Sequence, residues 1–76
     1  MKPQKKLLSM GFSKNDDGDF EINVLDINIT VSILGNDLLK LWVYNYATEQ
    51  EVRKVYKTFA TVEKHINKLL YNENIN

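Results

Sequence analysis

The sequence predicts an α+β fold: an antiparallel β-meander of three to five strands, preceded by a short helix and followed by an amphipathic C-terminal helix packed on one face. Three observations predict it. Apolar and polar residues alternate from Phe20 to Ile33 and again from Leu39 to Tyr46, the period of half-buried strands. Turn-forming residues punctuate those runs at Asn15-Asp16-Asp17-Gly18 and at Gly35-Asn36-Asp37. Val62, Ile66, Leu69 and Leu70 then recur at helical spacing.

The elements follow in order. Pro3 fits a first helical turn and Gly11 a left-handed C-cap, which places a helix over about residues 3–10. Two turns cannot hold alone, so Leu7, Leu8 and Phe12 are expected to dock it. Phe12 to Lys14 can form a short strand before the acidic turn. Phe20, Ile22 and Val24 then share one face, with Glu21, Asn23 and Leu25 on the other. After Asp26 the phase flips, and Ile27, Ile29, Val31 and Ile33 become the apolar set. Side chains alternate strictly along a strand, so the flip requires a turn or bulge near Leu25–Asp26, although no glycine marks it. Gly35-Asn36-Asp37 reads as a hairpin loop leading into a strand from Leu38 to about Tyr46.

Residues 48–59 admit two readings. Thr48 and Glu51 have capping-box spacing, and Val52, Val55 and Phe59 fit a helix. The density of Val, Thr, Tyr and Phe favours a strand over 51–58 instead, with Thr61 as the N-cap of a helix over about 61–71. Residues 71–76 are polar and read as a frayed tail. All 76 residues are assigned to one domain. Its core is expected where Val62, Ile66, Leu69 and Leu70 meet the Ile27/Ile29/Val31/Ile33 and Leu39/Leu41/Val43 stripes.

Composition bounds the function. There is no cysteine, so disulfides and thiolate metal sites are excluded, and a reducing cytoplasm fits. No long apolar run follows the basic start, so a cytoplasmic location is expected. Formal charge is zero, which argues against non-specific nucleic-acid or membrane binding. The charges are segregated, however. Lys2, Lys5, Lys6 and Lys14 precede a stretch with Asp16, Asp17, Asp19, Glu21, Asp26 and Asp37 and no base. Heavy use of Asn, Lys and Ile, with Arg53 the only arginine, points to a low-GC genome, that of a bacterium or one of its phages or plasmids.

Equipment for catalysis is hard to assemble from these residues. His65 has no second imidazole or thiol to act with, and a surface or boundary position suits it. Ser9, Ser13 and Ser32 lie in no nucleophile elbow. The acidic turn fails a calcium-loop register, because with Gly18 at position six the closing glutamate position holds Val24. Gly11, Gly18 and Gly35 are isolated and precede strands, unlike a phosphate loop. No cofactor, catalytic residue or metal ligand is therefore assigned.

One constellation stands out. If Leu39, Leu41 and Val43 face the helix, then Trp42, Tyr44 and Tyr46 project from the opposite face, with Lys40, Glu21, Asn23 and Thr30 as neighbours. Tyr and Trp bury large areas while keeping a polar handle, which suits interfaces. Three uses remain open: a second minicore under the N-terminal helix, a contact with a partner or second copy, or a platform for stacking bases.

The helix–meander–helix order resembles that of double-stranded-RNA-binding domains and HicA-like toxin domains, as architecture only. The former place lysines at the start of the last helix, where this chain offers Glu49 and Glu51, or Glu63 followed by Lys64. The latter need a glycine–serine–histidine turn that this chain lacks. No site is carried over. The expectation is a non-enzymatic protein-binding module, an accessory or inhibitor protein of a phage or mobile element acting on a host or phage protein. The alternatives are a small nucleic-acid-binding domain using Lys5, Lys6, Lys14 and Lys40, or a homo-oligomeric structural domain.

Overall fold

The computed structural model describes residues 2–35 and 38–72. Its elements are α1 (Pro3–Ser9), β1 (Ser13–Lys14), β2 (Phe20–Val24), β3 (Ile27–Ile33), β4 (Leu39–Asn45), β5 (Gln50–Tyr56) and α2 (Phe59–Asn72). The strands form one antiparallel sheet in the order β1-β2-β3-β4-β5, so every neighbour in sequence is a neighbour in space.

Loop lengths set which residues share a face. Leu25 and Asp26 form a two-residue turn that pairs Val24 with Ile27, so the apolar set passes from even to odd numbers without a bulge. Leu25 carries the required positive φ of 54° in place of a glycine. Four residues separate the Asn45–Gln50 pair, so the parity flips again in β5. Glu51, Arg53 and Val55 join the Trp42 face, while Val52, Lys54 and Tyr56 join the core side. The Gly35 hairpin closes through Leu34 N–H to the Leu38 carbonyl at 2.8 Å; Asn36 and Asp37, expected at its tip, lie outside the described residues.

Both helices cover the same face. Leu7 and Phe12 from the N-terminal segment, Val62 and Ile66 from α2, and Phe20, Ile27, Ile29, Val31, Leu39 and Leu41 from the sheet make one buried cluster. Lys6 of α1 lies 3.6 Å from Glu63 of α2, an ion pair between the two helices. Met10 caps α1, and Phe12 and Gly11 donate their N–H groups to the carbonyls of Leu7 and Leu8, the paired bonds of a Schellman ending. Gly11 supplies its φ of 101°.

Four expectations need correction. Leu8 does not dock α1; it is 52% exposed, because its neighbour Leu7 takes the inward side and adjacent helical residues point about 100° apart. Helix α2 begins at Phe59, two residues earlier than expected, because Thr58 rather than Thr61 caps it. The Thr58 hydroxyl accepts the Thr61 N–H at 3.4 Å and bonds the Thr61 hydroxyl at 2.9 Å. Tyr71 and Asn72, expected in a frayed tail, complete α2, and residues 73–76 lie outside the described residues. Ile33 does not join the core; at the C-terminal end of β3 it is 37% exposed, beside Leu34 and Phe59. Of the two readings of residues 48–59, the strand is the one formed: Thr48 sits in the β4–β5 turn and Glu51 in β5.

Candidate functional site

With both helices on one side, no helix or strand among the described residues covers the other side of the sheet. The covering of Trp42, Tyr44 and Tyr46 by the N-terminal helix does not occur, since Leu7 points into the opposite core. Trp42 is 38% and Tyr46 57% exposed. Strand register arranges the bare face in rows. Glu21, Thr30, Trp42 and Arg53 make one row, and Asn23, Asn28, Tyr44 and Glu51 the next. Ser32, Lys40 and Val55 form a third.

The first two rows are held by specific contacts. Asn28 Nδ2 donates to Glu21 Oε2 at 3.1 Å and to Asn23 Oδ1 at 2.8 Å. The Thr30 hydroxyl, on a residue only 8% exposed, donates to Asn28 Oδ1 at 2.8 Å. Among the described residues, no buried side-chain polar atom lacks a partner. Tyr44 and Tyr46 meet edge to face with ring centroids 5.0 Å apart. The Tyr46 N–H donates to the Asp26 carbonyl at 2.7 Å, which carries the ladder past the start of β3 and the end of β4 and fixes the third aromatic residue. The Arg53 guanidinium lies 4.8 Å from the Trp42 ring centroid and is held by Glu51 Oε2 at 2.9 Å from Nε.

The β1–β2 turn rises beside this face. Asn15 Oδ1 accepts the N–H groups of Asp17 and Asp19 at 3.0 and 2.9 Å, and Gly18 takes a φ of 86°, so the acidic residues are held in one tight loop. An open groove of about 560 Å³ results. Asn15, Asp16, Asp17, Asp19 and Glu21 form one wall, Asn28 and Thr30 the floor, and Trp42, Tyr44 and Tyr46 the other wall. Among the described residues, no basic side chain lines it.

Of the residues singled out from the sequence, Glu21, Thr30, Trp42, Tyr44 and Tyr46 line this groove. Asn23 stands on the same face, bonded to Asn28, and Lys40 stands one row away opposite Ser32. Asn28 and Arg53 were not foreseen. Asn28 was readable from its place in the β3 alternation, whereas Arg53 was not, because its face depends on the length of the β4–β5 loop. The segregated acids read, from sequence, either as solvated turn residues or as an acidic face for a basic partner, and the groove gives that face an aromatic counterpart. His65 is exposed on α2, with its ring 5.1 Å from that of Tyr56. Among the described residues, no group of three or more His, Asp or Glu is placed to hold a metal ion, and no helix is long and apolar enough to cross a membrane.

Over 71 residues the chain is 31% identical to an isoleucine–tRNA ligase of Limosilactobacillus reuteri subsp. reuteri (strain JCM 1112), a match covering 88% of this chain and 8% of that enzyme. The chain thus spans under a tenth of the length of the curated relative it matches. No family model matches the sequence, and no solved structure does.

Proposed function

We propose that this chain is a non-catalytic protein-binding module that holds a basic, extended segment of a partner protein in the groove between the acidic turn and the Trp42–Tyr44–Tyr46 wall. The observation that carries this reading is the juxtaposition itself: an uncovered aromatic wall facing Asp16, Asp17, Asp19 and Glu21. Lysine or arginine side chains of a partner would meet the carboxylates, while their stems and apolar neighbours lie on the aromatic rings. Complementary charge also speeds encounter and rejects acidic partners. The residue usage fits a low-GC genome, and within such a genome we place the module in a phage or mobile element, as an accessory or inhibitor of a host protein in the cytoplasm.

Trp42 is the only tryptophan, so its emission reports on the groove directly. Titration with Lys/Arg-rich peptides containing one aromatic residue is expected to shift that emission saturably, and Asp17→Asn/Asp19→Asn is expected to weaken the binding. Acidic peptides are expected to leave the emission unchanged. No response to any basic peptide refutes the reading. A response to single-stranded oligonucleotides in their place assigns the face to nucleic acid instead.

A further inference from the structure

β5 is an edge of the sheet, and residues Gln50 to Val55 are all exposed, including Val52 at 61% and Val55 at 52%. The opposite edge is blunted by β1, which is only two residues long. A seven-residue edge strand with an outward ladder is a template for another strand. The kind of strand it accepts can be read from its own side chains.

In an antiparallel pair, residues directly opposite point to the same face, so a two-fold axis relating two copies of β5 must pass between the two copies of one residue. An axis at Glu51, Arg53 or Lys54 sets a charge against itself. One at Val55 sets Arg53 against Lys57, and one at Gln50 sets Glu49 against Glu51. An axis at Tyr56 leaves almost no strand to pair, because α2 begins at Phe59. An axis at Val52 avoids every conflict. It places Val52 against Val52, Gln50 against Lys54, and Glu51 against Arg53 twice. Glu51 and Arg53 already form an ion pair at 2.9 Å on the bare face, so the two copies together make a ring of four charges alternating in sign. On the other face Val52 lines a hollow with Leu41, Val43, Tyr56 and Leu69, which His65 and Lys68 of α2 also border, and the second Val52 would sit beside it.

We infer that β5 pairs antiparallel with β5 of a second copy of this chain about Val52, joining two sheets into one of ten strands. The interface lies at the edge opposite the acidic turn, so both grooves stay open and the pairing stands independently of what they bind.

Sedimentation equilibrium tests the register through its charges, with circular dichroism confirming that each variant is folded. The wild-type chain is expected to dimerise at micromolar to millimolar concentration. Arg53→Glu and Glu51→Arg each create like-charge pairs across the axis and are expected to weaken the dimer by roughly tenfold or more. The double variant Glu51→Arg/Arg53→Glu restores opposite charges and is expected to recover dimerisation. A wild-type chain that stays monomeric throughout this range overturns the inference and leaves the charges of β5 as guards against pairing. A dimer indifferent to the single reversals, or not recovered by the double one, overturns the register.

Discussion

Thr30 illustrates how the bare face can be polar and still well held. The residue is only 8% exposed, and the Asn28 carbonyl oxygen accepts its hydroxyl. A buried hydroxyl that loses its partner keeps the desolvation penalty, so Asn28→Ala is expected to cost about 1–3 kcal/mol in chemical denaturation. Thr30→Val in the same chain removes the stranded group, so the double variant is expected to be less destabilised than the sum of the two singles. Strict additivity would show that the two side chains do not depend on each other. Arg53 matters at this scale as well, because its guanidinium sits over Trp42 and leaves the ring's other surroundings to the groove.

At the scale of elements, turns decide the faces. Leu25 holds a positive φ at the first position of a two-residue hairpin whose second residue does not, a pattern that favours glycine. Its side chain is 78% exposed and contributes little packing. Left-handed backbone costs a residue with a Cβ roughly 1–2 kcal/mol, and the extra freedom of glycine in the unfolded chain returns about 0.5–1 kcal/mol of that. Leu25→Gly is therefore expected to stabilise the protein by up to about 1 kcal/mol and to raise Tm by several degrees in a thermal scan. A lower Tm would mean that Leu25 makes contacts that outweigh its backbone. The strands were legible in the sequence because apolar alternation survives a turn as a phase shift, and the shift at Leu25–Asp26 marked the turn without any glycine. The start of α2 was less legible, since Thr58 and Thr61 are both good caps and only the end of β5 at Tyr56 selects between them.

At the scale of the molecule, the decisive fact is that α1 and α2 lie on one side. Sequence alone could place Trp42, Tyr44 and Tyr46 together on a face, because alternation in β4 does not depend on tertiary structure. It could not say whether α1 covers them, since Leu7 and Leu8 make either side of that helix apolar. Packing resolves it: Leu7 joins Phe12, Val62 and Ile66, and the Lys6–Glu63 pair ties the helices together. The acidic turn and the aromatic strand lie far apart in sequence, so the groove between them emerges only once β3 sets them on its two sides.

That groove carries the account, and amide chemical-shift mapping with a Lys/Arg-rich peptide tests it most directly. The predicted result is a set of perturbations at residues 15–21, 28–30 and 42–46, including the Trp42 indole N–H, with α2 unaffected. Shifts centred on α2, or none at the aromatic wall, would contradict it.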